Sequence, residues 1–273
     1  MTCRHANTPT GLLLQAAFCA SLLLCALVAR AQPAPAQVVD IPTRPGVTQR
    51  FLYLAPAQPK AAVILYAGGH GGLQIYPNGS LGWGAGNFLV RARQLFVDNG
   101  LAVAVIDAPG DHLTSPFLNG FRQSAEHAED ARAVIAWMRG HTSLPVWLAG
   151  TSRGTQSVAA IAIRLADGGG PDGIVLTSTI LREERGRPVP AMDLGKIKVP
   201  VLVVHHEQDG CKLCPFSEVQ GLMDKLAKTP KAGLIQFDGG NNVGDPCEAM
   251  AYHGFNGIEP QVVQAVARWI GER

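Results

Sequence analysis

The stretch from residue 144 to residue 155 constrains the fold of this chain more than any other. It begins with an apolar run, Leu-Pro-Val-Trp-Leu-Ala, that is typical of a buried strand, and apolar residues recur at helical spacing from Thr155 to Leu165. Between them, Gly-Thr-Ser-Arg-Gly at residues 150–154 places Ser152 at the apex of a tight turn. In a strand–turn–helix context this pattern predicts a strained, exposed serine nucleophile. An ordinary Gly- and Ser-rich turn is the alternative.

Strand and helix signals alternate along the rest of the sequence. Continuous apolar runs predict buried strands, periodic apolar residues predict the helices between them, and residues 38–54 predict an edge hairpin. The strands fall at residues 61–66, 101–106, 144–149, 172–177, 199–206 and 233–237, and the helices at about residues 87–99, 124–139, 155–165, 218–227 and 259–271. This alternation favours an α/β fold with a mostly parallel central sheet and helices on both faces. Residues 181–198 leave room for a minimal lid only.

The first 31 residues have the pattern of an export signal. An arginine precedes an apolar run over residues 12–28, and a small-x-small cleavage site ends at Ala31. A Pro/Ala/Gln linker at residues 32–37 follows, instead of the charged residues that would stop transfer of a membrane anchor. We therefore expect a periplasmic or secreted protein with no stable membrane anchor and one domain over residues 38–273.

Charge and composition limit the classes of partner and cofactor that the sequence indicates. Beyond residue 31 the chain has 21 basic and 21 acidic side chains, with no basic run and no basic–aromatic stripe. This pattern gives no indication of nucleic-acid binding. Asp107 and Asp111 follow a predicted strand, and we interpret them as a polar turn because no second ligand set accompanies them. We predict neither a metal nor a cofactor, and nothing in the sequence indicates an oligomeric state.

A serine nucleophile needs a base and an acid that orients the base. Asp209 lies at the carboxyl end of a predicted strand, and His253, the last of 8 histidines, follows the final strand. Carboxyl ends of parallel strands meet at one edge of a sheet, where ligands bind. Glu207 competes for the role of the acid, but Asp209 lies deeper in the turn after the strand. The predicted catalytic set is therefore Ser152, Asp209 and His253.

With this elbow and the chain order Ser, Asp, His, the sequence resembles the α/β-hydrolase superfamily over residues 38–269. The resemblance, which extends to small-lid esterases and dienelactone hydrolases, implies acyl transfer through Ser152. It also implies an oxyanion hole made from two backbone N–H groups. One belongs to Arg153, and the other to the Gly-rich turn after the strand at residues 61–66, where Gly69 is the first candidate and His70 the second.

Three further histidines are candidate pocket residues. His70 belongs to the Gly-rich turn, while His205 and His206 end the strand before Asp209. The pair at the strand end either lines a pocket or caps the strand, and the sequence favours neither. Trp83 has the same ambiguity between a pocket wall and ordinary loop packing.

Three cysteines follow the export signal, which indicates one disulfide and one spare thiol in an oxidising compartment. If Asp209 and His253 meet in space, a disulfide between Cys211 and Cys247 would hold both of their loops, with Cys214 left free. A local bridge between Cys211 and Cys214 is the alternative. Their C-x-x-C spacing also fits a redox pair or half of a zinc site, but no second C-x-x-C is present.

The leading hypothesis is thus an exported serine hydrolase acting on small or medium carboxylic esters. A peptidase or an acyltransferase with the same catalytic residues is the second hypothesis. The third is a non-catalytic binding protein on a hydrolase scaffold, which would have no need for a complete Ser/Asp/His set.

Overall fold

The computed structural model describes residues 1–2, 36–183 and 186–272. The chain divides into two units, Met1–Pro33 and Ala34–Arg273, and the account below concerns the second. The predicted export signal and most of the predicted linker lie outside the described residues; the first strand begins at Gln37. Among the described residues, no helix is both long enough and apolar enough to span a bilayer.

An eight-stranded sheet forms the centre of the second unit. Its strands are β1 Gln37–Arg44, β2 Val47–Leu54, β3 Ala61–Tyr66, β4 Leu101–Ile106, β5 Val146–Thr151, β6 Gly173–Thr177, β7 Val201–His206 and β8 Ala232–Phe237. They are arranged in the order β1-β2-β4-β3-β5-β6-β7-β8, with β1 and β2 antiparallel and the other strands parallel. Strands β3 to β7 are buried along their whole length, because helices cover both faces. The predicted fold class is confirmed.

Six α-helices accompany the sheet in the described part of the chain. They are α1 Phe88–Arg91, α2 Arg93–Asp98, α3 Ala125–Thr142, α4 Gly154–Arg164, α5 Val219–Leu226 and α6 Glu259–Gly271. The Ser124 hydroxyl caps α3 by accepting the N–H of His127. The prediction of a single helix over residues 87–99 is wrong in one respect. The segment is divided at Ala92, where φ is −85° and ψ is −1°, and two short helices result.

Two apolar cores lie on opposite faces of the sheet because side chains of a strand alternate between its faces. In β3, Ile64 packs into the core beneath α3, α4 and α5, whereas its neighbours Val63 and Leu65 pack into the core beneath α1, α2 and α6. Both cores need continuous apolar runs in the central strands. The apolar runs of the sequence therefore follow from the two-sided burial.

The order of the strands brings two loops together. The chain goes from β3 to β4 on one side and then returns to place β5 on the other side of β3. Strands β3 and β5 are parallel, with Tyr66 opposite Gly150, so both strands end at the same edge. At such a switch point the loops diverge and leave a crevice for a ligand. Here the loops are the Gly-rich turn after β3 and the serine turn before α4.

Two glycines allow α4 to lie directly against the ends of β3 and β5. A Cβ atom added to Gly154 would lie 2.2 Å from the carbonyl oxygen of Tyr66, and one added to Gly150 would lie 2.5 Å from the carbonyl oxygen of Gly154. Neither position has space for a methyl group. The glycines of the serine turn therefore set the distance between the helix and the sheet.

We expect Gly154→Ala to destabilise the protein by about 1–3 kcal/mol, because the methyl group would overlap the Tyr66 carbonyl and displace α4. Gly140→Ala is the matched control: a Cβ at this position of α3 meets no atom within 4 Å, and alanine should be neutral or stabilising there. Urea unfolding of both variants measures the difference. Equal unfolding free energies for the two variants would contradict the close-packing argument.

Candidate active site

Ser152 occupies a strained turn at the end of β5. Its φ angle is +51°, in the left-handed region that non-glycine residues rarely adopt. Hydrogen bonds hold this conformation: the Ser152 N–H donates to the Thr177 carbonyl at 3.0 Å, and its own carbonyl accepts from the N–H and the hydroxyl of Thr155. A strained conformation persists only where neighbouring groups fix it, and here the side chain is left half-exposed above the sheet.

The structure brings Asp209 and His253 together. Their loops follow the neighbouring strands β7 and β8, and His253 Nδ1 lies 2.9 Å from Asp209 Oδ2. The other carboxylate oxygen of Asp209 accepts the Cys211 N–H at 2.9 Å. Glu207, the competing acid of the sequence analysis, has an exposed side chain. The carboxylate paired with the imidazole is therefore that of Asp209.

The second nitrogen of His253 is available for chemistry. Nε2 is buried and, within the described ranges, has no hydrogen-bond partner. The backbone of His253 is fixed, because the Ser178 hydroxyl donates to its carbonyl at 2.7 Å. Ser152 and His253 line the same cleft, of about 400 Å³, although their side chains are not hydrogen-bonded to each other. Contacts between a nucleophile and its base are often long without substrate and shorten when it binds.

Two histidines surround the Asp209 carboxylate and determine its charge. Burial alone would raise the pKa of Asp209, but the contacts with His205 and His253 outweigh burial and lower this pKa to about 2. His205 Nε2 lies 3.5 Å from the carboxylate and 2.9 Å from the carbonyl oxygen of Cys214. The carboxylate is thus ionised at neutral pH and holds the Nδ1 side of His253 in a fixed orientation.

Of the two alternatives left open for His205 and His206, the structure does not support the lining of a pocket. Both side chains are fully buried. His205 packs behind Asp209, while His206 Nε2 bonds the Gly239 carbonyl at 2.9 Å and its ring stacks on Tyr252. Both residues belong to the body of β7, so its neighbours cover their side chains.

The Gly-rich turn after β3 lies against the serine turn. A Cβ atom on Gly68 would be 3.0 Å from the Cβ of Ser152. Gly69 has a φ of +55°, and a Cβ there would lie 2.6 Å from the ring of Trp83. Gly69 and Arg153, the two predicted oxyanion donors, both line the cleft that contains Ser152.

His70 is the one candidate pocket histidine that borders a cavity. Its ring lies between Trp83 and Phe117, with centroids 3.8 and 4.2 Å away, and is stacked on Phe117. The ring lines a second cavity of about 520 Å³, which shares Gly69 and Arg153 with the Ser152 cleft. Burial and then the charge of Arg122 lower the pKa of His70, so the imidazole is neutral at neutral pH. Trp83 serves both as a wall of the Ser152 cleft and as a packing partner.

A disulfide joins the loops of the acid and the base. Cys211, two residues after Asp209, is bonded to Cys247, six residues before His253, and Cys214 is a buried free thiol. The predicted pairing is confirmed. The sulfurs of Cys211 and Cys214 and a ring nitrogen of His253 lie within 4.8 Å of one another, but the Cys211 sulfur is engaged in the disulfide.

Asp107, interpreted from sequence as part of a polar turn, has a structural role. Its carboxylate accepts four backbone N–H groups, those of Leu73, Gln74, Ile75 and Ala108. Asp111 pairs with Arg44 at 2.9 Å. The contacts of Asp107 order the loop beyond the Gly-rich turn.

One buried residue near the site was missed by the sequence analysis. Arg122 lies in the loop before α3 and donates to the carbonyl oxygens of Ala67 and Gly69. No motif includes it, and Ala67 and Gly69 lie more than 50 positions before it in the sequence. Only the folded arrangement shows that it touches the Gly-rich turn.

A serine turn at the switch point of a mostly parallel sheet, with Asp209 and His253 on loops after later strands, is the arrangement of the α/β-hydrolase fold. Solved structures with this fold share the overall architecture of the chain and resemble it weakly in sequence. No family model and no curated protein sequence matches the chain.

Three of the similar structures illustrate the likeness. The dienelactone hydrolase of Anabaena variabilis has a TM-score of 0.58 and 16% identity, with 88% of this chain and 97% of that one covered. An α/β serine hydrolase without a lid from Xanthomonas campestris has a TM-score of 0.55 and 15% identity, with coverage of 87% and 96%. A Pyrococcus furiosus esterase has a TM-score of 0.60 and 16% identity, with coverage of 86% and 91%. At these identities the likeness establishes the fold.

The lowered pKa of Asp209 predicts a pH-dependent contribution to stability. A carboxylate with a pKa of about 2 in the folded state stabilises the protein above the ordinary carboxyl pKa near 4, and this contribution is lost as the pH falls toward 2. Asp209→Asn should therefore be destabilised at pH 7, by on the order of 2 kcal/mol, and the difference from wild type should shrink by pH 3. Urea unfolding at both pH values checks this. Asp238→Asn, at an exposed site, is the control; an equally large effect there would refute the assignment.

Removing the disulfide should loosen the contact between acid and base. We expect Cys211→Ser/Cys247→Ser to lower the free energy of unfolding by about 2–4 kcal/mol, as for a loop of this size. The loops of Asp209 and His253 should also exchange amide hydrogens faster. Cys214→Ala, which keeps the disulfide, is the control, and hydrogen exchange with mass spectrometry is the measurement. Unchanged exchange in both loops would mean that the disulfide does not hold them.

Proposed function

We propose that this protein is a serine hydrolase that cleaves carboxylic esters through an acyl-enzyme intermediate. The main supporting observation is the 2.9 Å contact between His253 Nδ1 and the ionised Asp209, made beside a serine held at a φ of +51°. A contact of this kind fixes the tautomer of the imidazole and leaves Nε2 as the proton acceptor. The esterases and the dienelactone hydrolase among the similar structures support a hydrolase.

In the proposed reaction, His253 Nε2 takes the hydroxyl proton of Ser152 as its oxygen attacks the ester carbonyl. The ionised Asp209 stabilises the imidazolium that forms. His253 then donates the proton to the departing alcohol, which leaves an acyl group on Ser152. In the second half, His253 activates a water molecule that releases the acid and restores the serine.

The oxyanion of each tetrahedral intermediate would be bound by the backbone N–H groups of Arg153 and Gly69. Arg153 follows the nucleophile and precedes α4, and Gly69 lies on the turn packed against Ser152. Preorganised donors of this type contribute about 10²–10³ in rate each. The cleft of about 400 Å³, with Trp83 and Phe88 in its wall, suits a small or medium ester.

We also propose that residues 1–31 direct export and that residues 38–273 form the functional domain. The disulfide between Cys211 and Cys247 supports this, because structural disulfides persist in oxidising compartments such as the periplasm or the extracellular space.

Covalent labelling of Ser152 tests the proposed function most directly. We expect residues 32–273 to react with a fluorophosphonate at Ser152, as located by mass spectrometry, and to hydrolyse p-nitrophenyl acetate. Ser152→Ala should lose both activities, with hydrolysis reduced by at least about 10⁴-fold.

The matched control is Ser143→Ala, which removes a serine with a similar φ of +55° at the far end of α3. It should keep full activity. A folded wild-type protein with neither labelling nor hydrolysis would favour a binding protein on a hydrolase scaffold. Labelling without ester hydrolysis would point to a peptidase or an acyltransferase.

A further inference from the structure

Arg122 is a charged side chain in an unusual environment. Only 5% of the residue is exposed, and within the described part of the chain it has no carboxylate partner. Burial and then the nearby charge of Arg153 lower the pKa of Arg122 to about 9, which leaves it protonated at neutral pH. Burying a charge without a counter-ion is costly, and such groups call for a functional explanation.

The hydrogen bonds of Arg122 connect two separate segments. Nη2 donates to the carbonyl oxygens of Ala67 and Gly69, each at 3.1 Å, and Nη1 donates to the hydroxyl of Ser157 at 2.9 Å. Ala67 and Gly69 belong to the turn after β3, whereas Ser157 lies within α4. The guanidinium therefore bridges the two segments that supply the oxyanion donors.

The surroundings are shaped for this guanidinium. A Cβ atom on Gly71 would lie 2.5 Å from Arg122 Nη2, so only a glycine leaves room there. The loop of Arg122 is itself attached to the turn, because the Leu118 N–H donates to the His70 carbonyl and the Arg122 N–H donates to the Leu118 carbonyl. The surrounding residues thus form a site that fits the guanidinium of Arg122 and fixes its position.

We propose that Arg122 is a positioning residue, which holds the turn of Gly69 at a fixed distance from the α4 segment of Arg153 and so preorganises the oxyanion hole. This inference rests on the proposed function and deepens it. Two backbone N–H groups bind one oxygen atom only if their separation is fixed before the reaction. A planar fork that donates to both segments fixes this separation, and a lysine ammonium reproduces the charge but not the fork.

The charge of Arg122 adds to the effect. The guanidinium contacts the carbonyl ends of two peptide groups, whose N–H ends belong to Gly68 and His70. Neither of these N–H groups is that of Gly69, so the charge does not act by polarising the proposed donor. It instead places positive charge beside the turn of Gly69, near the position at which negative charge develops in the proposed reaction. Removing it should weaken the transition state more than the bound substrate.

The test compares Arg122→Gln and Arg122→Lys with wild type. We expect Arg122→Gln to lower kcat for p-nitrophenyl acetate about 10²-fold with KM changed less than about threefold, as for the loss of an oxyanion donor. The kcat of Arg122→Lys should lie between those of wild type and Arg122→Gln. Inhibition constants for a trifluoromethyl ketone, which forms a tetrahedral oxyanion on the serine, should rise in proportion to the loss of kcat/KM.

Arg139→Gln is the matched control, because Arg139 also donates to a backbone carbonyl, that of Gly170, but lies near the C-terminus of α3. It should lower stability without changing kcat or ketone binding.

Ser157→Ala, which removes one acceptor of Arg122, is a second test if Arg122→Gln fails to fold. It should reduce kcat less than Arg122→Gln does.

The rate of fluorophosphonate labelling separates the two proposals. If wild-type Ser152 is not labelled, the proposed function fails, and the role of Arg122 fails with it. If wild type is labelled and folded Arg122→Gln is labelled equally fast, with the same kcat and ketone affinity, only the Arg122 proposal is overturned. A rise in KM at constant kcat would also overturn it.

Discussion

The contact between the backbone of Gly154 and the carbonyl of Tyr66 is the constraint on which the site depends. Because no side chain separates them, α4 begins directly above the end of β3. That position determines where Ser152 emerges and where the N–H of Arg153 lies. It also places Ser157, one turn further along α4, within reach of the Arg122 guanidinium. The absence of a side chain at Gly154 thus determines the arrangement of polar groups around the serine.

Two buried groups of opposite charge lie on either side of Ser152. Behind His253 lies the Asp209 carboxylate, ionised and in contact with two imidazoles. Behind the Gly-rich turn lies the Arg122 guanidinium. In the proposed reaction positive charge develops on the imidazole and negative charge on the substrate oxygen. The fixed charges are therefore placed to stabilise both before any substrate binds, which is what preorganisation means in electrostatic terms.

Much of this arrangement could be predicted from the sequence, since it depends on local patterns. Apolar runs predicted the central strands, and periodicity predicted α6 over its full length. The elbow pattern and the chain order located Ser152, Asp209 and His253, and the structure places the last two in contact. Sequence reasoning failed where long-range packing decides. A strand-end position does not show whether His205 points into the sheet, and no local pattern links Arg122 to a turn more than 50 residues earlier.

The disulfide has a consequence for when the site is completed. Strand β8 is the edge of the sheet and is only partly buried, and the base lies on the loop that follows this strand. The loop of the base is attached covalently to the loop of the acid through Cys211 and Cys247. This bond forms only after both loops have come together and an oxidant has reacted with them. Closure of this covalent link between the two loops is therefore tied to the redox state of the compartment in which the chain folds.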